Sequence, residues 1–330
     1  MAIMEFIEAK SEVKGRSLML KIPLLERSLR MTASLVAFPL SLGQMLISSM
    51  EETHNKPTGW LAHIGLRKLH VSVTGQGSPT IILESGMGGC SLDWSLVIPS
   101  LSEDATVIAY DRAGFGWSTQ GMERPTCGDY VDNLRKLLST IGAAPPYVLV
   151  GHSYGGMIMR LFASRYPGEV SGLVLVDSTH ESRYLPEQTT IERNKQRLAY
   201  HNQLKLGYML SPLGLPRLLK KHIGSKRLPE PWNKSVRTLG YRVNAYKAAY
   251  SELLCTEESA LQLKNAEPLR RDLPVIVLSA GEQDAAWQRD QRKLSNLTNN
   301  TKHIIVKDSW HSIQIHKPEA VISAIKGLLH

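Results

Sequence analysis

The chain has 330 residues, of which 42% are hydrophobic and 21% charged, and its formal net charge at pH 7 is +9. This length allows one large domain with an insertion, or two small domains, and the composition excludes disordered and collagen-like classes. The positive charge favours binding to an anionic surface, such as the headgroups of a membrane. The sequence contains no run of basic residues interleaved with aromatic ones, so a nucleic-acid partner is not indicated. The cysteines Cys90, Cys127 and Cys255 are odd in number and widely spaced, so neither a zinc site nor a disulfide framework is indicated.

The N-terminal extension, residues 1–59, contains a stretch without charge. Residues 31–50 have no charged side chain, and their length is about that needed to cross a bilayer. Six Lys or Arg precede the stretch and two Glu follow it, which predicts a cytoplasmic N-terminus with the rest of the chain outside the cytoplasm. Pro39, Gln44 and several small polar residues dilute its hydrophobicity. The alternative is therefore an amphipathic helix that lies on a membrane or on the protein itself, in a cytoplasmic protein.

Beyond residue 59, short apolar segments alternate with amphipathic ones. The apolar segments are nearly continuous Val, Ile and Leu, as in strands that are buried on both faces of a parallel sheet. They cover residues 69–73, 80–84, 106–110, 147–151, 172–177, 274–279 and 302–307. Helical patterns occupy residues 126–141, 153–166 and 318–329. The alternation predicts a doubly wound α/β fold with a mostly parallel sheet.

Residues 178–271 contain no convincing strand. The segment is rich in Leu, Lys, Arg, Glu, Gln and Tyr and is broken by prolines, which predicts several short helices. An insertion of this kind is difficult to thread into a parallel sheet, so we expect it to cover the strand ends as a helical cap. The predicted core then consists of residues 60–177 and 272–330.

The predicted strand at 147–151 runs directly into the motif Gly-His-Ser-Tyr-Gly at 151–155 and then into a helical pattern. A Gly-x-Ser-x-Gly turn between a strand and a helix is typical of a nucleophilic serine, because positions two before and two after the serine must lack bulk. The turn places the hydroxyl at a helix N-terminus, where backbone N–H groups stabilise an oxyanion. The motif predicts Ser153 as the nucleophile.

The chain resembles the α/β-hydrolase superfamily from about Trp60 to its C-terminus, most weakly across the predicted cap. The likeness is greatest to bacterial serine hydrolases of the proline-iminopeptidase and small-esterase types. It rests on the serine turn and on residues 83–89 (LESGMGG), 111–118 (DRAGFGWS) and 173–178 (LVLVDS). The resemblance implies that the nucleophile, the acid and the histidine follow in that order along the chain.

His311 lies between the last predicted strand and the last predicted helix. A loop at this place would carry its imidazole toward Ser153, which predicts His311 as the general base. His303 begins the predicted strand and His316 lies five residues too late, so both are less well placed.

Two aspartates compete for the role of the acid. Asp284 follows the strand at 274–279 in the Gly-x-x-Asp pattern that is usual in the resembled family, and it is the first choice. Asp177, at the end of the preceding strand, is the alternative. Either carboxylate would hold the imidazole of His311 in the required tautomer and stabilise the imidazolium.

The resemblance also implies an oxyanion hole made by the backbone N–H groups of Met87 and Tyr154. Met87 lies in a glycine-rich loop after the strand at 80–84, where Ser85 replaces a histidine of the family. The donors are backbone groups, so this replacement leaves the implied function intact. Asp111 and Arg112, in another loop, are interpreted as a structural ion pair.

Together these residues predict a serine hydrolase that cleaves an ester or amide of a small substrate through an acyl-enzyme on Ser153. Cleavage of esters, as by a carboxylesterase, is the first expectation, without any metal or organic cofactor. Serine at the position of the nucleophile in the Gly-x-Ser-x-Gly turn argues against haloalkane dehalogenases and epoxide hydrolases, which share this fold but have aspartate at that position. An aminopeptidase of the proline iminopeptidase type is an alternative that an acidic cap residue would favour, and the candidates are Glu187, Glu192, Glu230, Glu252, Glu257 and Glu258. A small-molecule receptor with a retained triad is an alternative of another class.

Overall fold

The computed structural model describes residues 22–329. Four of the six cationic residues behind the predicted membrane orientation, at positions 10, 14, 16 and 21, lie outside this range.

The centre of the described part of the chain is an eight-stranded sheet in the order β1-β2-β4-β3-β5-β6-β7-β8. The pairs β1–β2 and β2–β4 are antiparallel and the other pairs are parallel. The strands are β1 (Trp60–Ile64), β2 (Arg67–Thr74), β3 (Thr80–Glu84), β4 (Val107–Tyr110), β5 (Tyr147–His152), β6 (Val170–Val176), β7 (Val275–Ala280) and β8 (Thr301–Val306). The predicted doubly wound α/β fold is confirmed.

Strand β1 is absent from the sequence prediction. It is an edge strand paired only with β2, and its side chains alternate between exposed and buried instead of forming a continuous apolar run. An edge strand of this kind has a weak hydrophobic signal because solvent covers one of its faces.

Helices cover both faces of the sheet, and others belong to the N-terminal segment or to the segment between β6 and β7. In chain order they are α1 (Leu24–Val36), α2 (Phe38–His54), α3 (Ile98–Leu101), α4 (Cys127–Thr140), α5 (Tyr154–Arg165), α6 (Ile191–Leu210), α7 (Leu215–Leu218), α8 (Trp232–Gly240), α9 (Val243–Leu254), α10 (Thr256–Lys264), α11 (Ala285–Leu294), α12 (Ile313–His316) and α13 (Pro318–Lys326). Short 3₁₀ turns, including Ser91–Trp94 and Glu181–Arg183, connect some of them.

The central strands are apolar on both sides because each side packs into a separate core. Leu149 of β5 belongs to the cluster formed with α4 and α5, whereas its neighbours Val148 and Val150 belong to the cluster on the opposite face, which includes α13. Helix α4 begins at a capping box in which the Thr126 N–H donates to the Asp129 carboxylate at 3.0 Å. Because successive residues of a strand such as β5 point to opposite faces, one continuous apolar run supplies the hydrophobic cores on both sides of the sheet.

Helices α6 to α10 lie between β6 and β7, within the segment expected to form the cap. The N-terminal helices α1 and α2 pack against this segment through polar contacts. Glu26 of α1 forms an ion pair with Lys205 at 2.7 Å, and Arg217 forms one with Glu51 at 2.6 Å. The Gln44 side chain, which interrupts the uncharged stretch, donates to the Tyr241 carbonyl at 3.0 Å.

The outer surface of α1 and α2 is apolar and exposed. Its exposed side chains are Leu24, Leu25, Leu29, Met31, Leu35, Val36, Phe38, Leu40, Leu42, Met45, Leu46, Ile47 and Met50. Among the described residues, no single helix is both long and apolar enough to cross a membrane, whereas α1 and α2 pass that test as a pair bent by 94°.

Candidate active site

Ser153 lies on the sharp turn between β5 and α5. Its φ of +51° and ψ of −122° are strained for a residue with a side chain, a cost of about 1–3 kcal/mol that the surrounding packing must offset. The flanking residues Gly151 and Gly155 must lack a side chain, because backbone atoms occupy the space where a Cβ would lie. A Cβ at Gly155 would lie 2.6 Å from the Ser85 carbonyl oxygen, and a Cβ at Gly151 would lie 2.6 Å from Cα of Gly156. The hydroxyl therefore projects from a turn that only this glycine pattern permits.

A hydrogen-bonded chain joins serine, histidine and aspartate. His311, in the loop between β8 and α12, has its Nε2 2.8 Å from Ser153 Oγ. Its Nδ1 lies 2.7 Å from Oδ2 of Asp177. The side chain of Asp177 is fully buried, whereas that of His311 is 36% exposed, so the chain of hydrogen bonds runs from the interior to an open cavity. This is the arrangement that general-base activation of a serine requires.

The carboxylate of Asp177 is fixed by donors other than His311. Oδ1 accepts from the Ala280 N–H at 3.0 Å and from Trp287 Nε1 at 2.9 Å. Oδ2 also accepts from Gln283 Nε2 at 3.1 Å. Asp177 follows β6 with a positive φ of +40°, which turns its side chain across the end of the neighbouring strand β7. The buried carboxylate is thus held in one orientation toward the imidazole.

The structure does not bring Asp284 to His311, contrary to the sequence prediction. Asp284 is the N-cap of α11, and its carboxylate accepts the Trp287 N–H at 2.7 Å. An aspartate between a strand and a helix is also the preferred capping residue, and this local demand is the one met here. Asp177, the sequence alternative, occupies the position beside the histidine. Asp284 contributes indirectly, since the helix that it caps carries the Trp287 indole that donates to Asp177.

The other histidines near the site have separate partners. His303 Nε2 lies 2.7 Å from Ser279 Oγ, and His316 stacks on Trp310 with ring centroids 3.7 Å apart. His152, next to Ser153, has its Nε2 3.1 Å from the His311 carbonyl oxygen. Burial, and then the nearby charge of His311, hold the pKa of His152 well below its usual value. A neutral His152 donates from Nε2 to this carbonyl and positions the loop that carries His311.

The glycine-rich loop after β3 lies directly against the serine turn. A Cβ at Gly86 would lie 3.1 Å from Cβ of Ser153, and Met87 is the next residue of the loop. Met87 lines the cavity above Ser153, and Tyr154 is the first residue of α5. Ser85 takes a structural role, because its hydroxyl donates to the Cys90 carbonyl at 2.8 Å and accepts from Trp94 Nε1 at 3.1 Å.

A buried charge cluster under this loop was not anticipated from the sequence. Arg112 does not pair with Asp111; its Nη1 contacts Glu84 Oε1 at 2.5 Å, and its Nε donates to Glu252 Oε1 at 3.0 Å. The same guanidinium donates to the carbonyl oxygens of Ser85 at 2.6 Å and Gly86 at 2.8 Å. Burial raises the pKa of both glutamates, against the lowering effect of the Arg112 charge.

Glu252 links the cluster to the cap. It belongs to α9, and its Oε2 accepts the Gly88 N–H at 3.1 Å. Arg112 and Glu252 together therefore fix the backbone on both sides of Met87, at residues 86 and 88. Asp111 instead accepts from the N–H groups of Ser91 at 2.6 Å and Trp117 at 2.9 Å. The predicted Asp111–Arg112 pair is wrong because each of the two side chains has other partners.

A cavity of about 480 Å³ opens above Ser153 between the core and the cap. From the core it is lined by Gly86, Met87, Gly89, Asp93, His152, Ser153, Trp287, His311 and Ser312, and from residues 178–271 by Thr179, Arg183, Tyr184, Arg193, Gln196, Arg197, Tyr200, Gly224, Ser225 and Leu253. This volume suits a small organic substrate. Within residues 22–329, no three His, Cys, Asp or Glu side chains are arranged to hold a metal ion, and Cys90, Cys127 and Cys255 are buried and form no disulfide there.

Comparison with known proteins agrees with this architecture. The profile of the family described as alpha/beta hydrolase fold matches residues 79–318. An uncharacterized protein of Schizosaccharomyces pombe is 33% identical over 223 residues, which are 66% of this chain but 40% of the yeast protein. The chain therefore spans less than half of that relative.

Solved structures share the fold at low sequence identity. A ligand-free epoxide hydrolase superposes with a TM-score of 0.65 at 20% identity, covering 82% of this chain and 98% of its own. A thermophilic esterase from Thermogutta terrifontis superposes with a TM-score of 0.57 at 20% identity, covering 80% of this chain and 93% of its own.

Proposed function

Since this chain belongs to the α/β-hydrolase family, we propose that it is a serine hydrolase that cleaves an ester or amide of a small substrate through an acyl-enzyme on Ser153. The observation that carries the proposal is the continuous hydrogen-bonded chain from Ser153 through His311 to the buried Asp177, open to a substrate-sized cavity. Serine rather than aspartate at the elbow supports an acyl-enzyme over the alkyl-enzyme chemistry of epoxide hydrolases.

The mechanism follows from the roles that these atoms allow. His311 Nε2 accepts the proton of Ser153 as Oγ attacks the acyl carbonyl, and Asp177 stabilises the resulting imidazolium. The N–H groups of Met87 and Tyr154 receive the oxyanion. The tetrahedral intermediate collapses, and the leaving alcohol or amine departs with the proton from His311. A water molecule then gives its proton to His311 and attacks the acyl-enzyme, and the acid is released as Ser153 regains its proton.

Ester cleavage is better supported than removal of N-terminal residues. An aminopeptidase needs a carboxylate from the cap to hold the substrate amine, and none of the described residues that line the cavity is a glutamate. Glu252, one of the candidates, is engaged by Arg112 and the Gly88 N–H. The cap contributes arginines instead, which would repel an ammonium group. A carboxylesterase-like reaction is therefore our first choice.

Fluorophosphonate labelling tests the proposal, with wild type compared with Ser153→Ala and His311→Ala. We expect covalent labelling of wild type only at Ser153, and turnover of p-nitrophenyl acetate and butyrate over many cycles. Both variants should lose turnover by at least roughly 10³-fold. A folded wild type that is not labelled would contradict the proposal. Labelling with a single turnover would favour the receptor with a retained triad.

We also propose that α1 and α2 attach the protein to an anionic membrane surface. Support comes from the exposed apolar face of these helices and from the net charge of +9. Apolar burial and electrostatic attraction act together at such a surface. The charges on either side of residues 31–50 predict that the catalytic domain lies outside the cytoplasm. A C-terminal fusion to alkaline phosphatase, which is active only after export, would test this prediction.

Sedimentation with vesicles tests the attachment. Wild type should sediment with phosphatidylglycerol–phosphatidylcholine vesicles, and the double variant Leu25→Glu, Val36→Glu should bind at least roughly 10-fold more weakly. Leu66→Glu is the matched control, because Leu66 is fully exposed in the turn between β1 and β2. Equal sedimentation of wild type and the double variant would refute the proposal.

A further inference from the structure

The cap presents arginines to the cavity above Ser153. Arg193 and Arg197 are four residues apart on α6, so their side chains lie on the same face of the helix. Arg183, at the end of the 3₁₀ turn Glu181–Arg183, lines the same cavity. Three guanidinium groups thus converge, among the described residues, on a space that the proposed reaction leaves for substrate.

These guanidinium groups have donors to spare. Arg193 Nη2 donates to Asp290 Oδ2 at 2.7 Å, but its buried Nε has no hydrogen-bond partner within residues 22–329. The structure gives the side chains of Arg183 and Arg197 no carboxylate partner in the same range; Arg183 packs over the Trp287 ring, 4.9 Å from its centroid. Buried or half-buried donors without acceptors are costly, and a ligand with acceptor oxygens would relieve that cost.

Two other arginines of the cap, which do not line this cavity, are neutralised by carboxylates. Arg217 pairs with Glu51 at 2.6 Å, and Arg242 pairs with Glu52 at 2.8 Å. Among the described lining residues of the cavity, the acidic one is Asp93. Burial, and then the neighbouring Asp111 charge, raise the pKa of Asp93 to about 7, although the Cys90 N–H bond acts in the opposite direction. Three arginines against one acidic side chain give the lining of the cavity an excess of positive charge.

Arg183 is also close enough to His311 to hold one end of a small ester that reacts at Ser153. The Trp287 ring centroid lies 5.0 Å from that of His311 and 4.9 Å from the Arg183 guanidinium carbon. A single indole therefore separates His311 from Arg183. A substrate with its carbonyl at Ser153 needs a chain of a few carbon atoms to reach this arginine.

We propose that the substrate is an ester that carries a carboxylate, and that Arg183, Arg193 and Arg197 bind this carboxylate while Ser153 attacks the ester carbonyl. Guanidinium groups match carboxylates in charge and in paired hydrogen-bond geometry. The proposal rests on the proposed hydrolase function and names the substrate class of that site. The reaction releases an alcohol and a dicarboxylic acid, or a carboxylated alcohol and an acid.

The test compares anionic esters with their uncharged counterparts. p-Nitrophenyl hydrogen adipate is paired with p-nitrophenyl methyl adipate, which differs by one methyl cap on the distal carboxylate. 4-Carboxyphenyl acetate and its methyl ester place the charge on the alcohol side instead. We expect kcat/KM of wild type to favour the anionic member of at least one pair by roughly 10- to 100-fold, the range of charge-assisted hydrogen bonds. The preference should weaken at 1 M salt.

Arg183→Gln and Arg197→Gln should each lower the ratio of anionic to uncharged kcat/KM by roughly 10-fold or more. Lys195→Gln is the matched control: it removes one positive charge from the exposed surface of the same helix, and Lys195 does not line the cavity. Its ratio should stay within about twofold of wild type. An unchanged ratio in both arginine variants, or a wild type that prefers the methyl-capped member of both pairs, would overturn the proposal.

Failure of the hydrolase proposal is recognised separately. If fluorophosphonate labels Ser153 and uncharged esters turn over without an anionic preference, the hydrolase stands and the carboxylate site falls. If no ester turns over, calorimetry of monomethyl adipate binding decides the site. Binding that Arg197→Gln weakens and Lys195→Gln does not would retain the carboxylate site without the reaction, and absence of binding to wild type would reject it.

Discussion

Asp177→Asn tests which carboxylate acts with His311. Oδ1 of this side chain accepts from the N–H groups of Ala280 and the Trp287 indole. Oδ2 accepts from Gln283 and His311. Asparagine has a single acceptor oxygen, so its NH₂ group must face one of these pairs of donors. Facing His311, it forces the imidazole to carry its proton on Nε2, the atom that must accept the proton of the nucleophile.

The expected size of the effect follows from this tautomer change. In the serine-protease template, the same substitution lowers kcat by about 10⁴-fold, which corresponds to roughly 5 kcal/mol. We expect kcat for p-nitrophenyl butyrate to fall by roughly 10³- to 10⁴-fold in Asp177→Asn. KM should change by less than about 3-fold, since the buried carboxylate does not contact substrate. An unmatched buried donor costs about 1–3 kcal/mol of stability, so circular dichroism must first show a folded variant.

Asp284→Asn is the matched control. Asparagine caps a helix about as well as aspartate, so α11 should retain its start and kcat should stay within about twofold of wild type. Stopped assays of p-nitrophenol release compare the two variants at equal concentration of folded protein. A loss of roughly 10³-fold in Asp284→Asn, with most activity retained in Asp177→Asn, would refute the assignment of the acid.

Three further predictions concern packing and buried charge. Gly155→Ala should abolish fluorophosphonate labelling and lower the free energy of unfolding by ~2–3 kcal/mol, because the added methyl group would clash with backbone oxygens. Gly168→Ala is the control: no atom lies within 4 Å of a Cβ at this position, so the thermal midpoint should stay nearly unchanged. Glu252→Gln should lower kcat by roughly 10-fold or more and cost about 3 kcal/mol in urea denaturation, because it removes a charge that pairs with the buried Arg112 guanidinium beneath the glycine-rich loop after β3. An unchanged kcat would contradict this. Burial raises the pKa of Glu181, but the Arg160 charge and hydrogen bond outweigh this and lower it from 4.5 to about 2. A depressed folded-state pKa stabilises the protein above about pH 5 and loses this effect as pH falls toward 2, so Glu181→Gln should be less stable than wild type by up to about 3 kcal/mol at pH 7, and the difference in urea midpoint should shrink at pH 3.5.

Local constraints made much of the fold readable from the sequence. The central parallel strands are buried on both faces, and their continuous apolar runs, such as 147–151, are visible without any knowledge of their neighbours. The serine turn is equally local, because glycine is needed wherever backbone approaches within contact distance. His311 could be proposed from the chain order that the resemblance implies, together with its place in a loop after the last strand, which reaches the same sheet edge as the serine turn.

Only the tertiary structure decided which aspartate meets His311. Asp177 and Asp284 both follow parallel strands, so their positions at the sheet edge are equivalent in the sequence pattern. The difference lies in side-chain direction: a positive φ turns Asp177 across the sheet edge, whereas Asp284 adopts extended backbone and caps its helix. Neither dihedral angle has a signature in the residue types themselves.

The charged groups around the site show the same division. Arg112 lies beside Asp111 in sequence, yet it pairs with Glu84 and with Glu252, which is 140 residues away. The cap arginines Arg183 and Arg197 are ordinary helix residues in the sequence, and only the packing of the cap over the sheet directs them into the cavity. The sequence determined the serine turn and the layer architecture through local sterics and hydrophobic burial, whereas long-range packing selected the charged side chains that line the cavity.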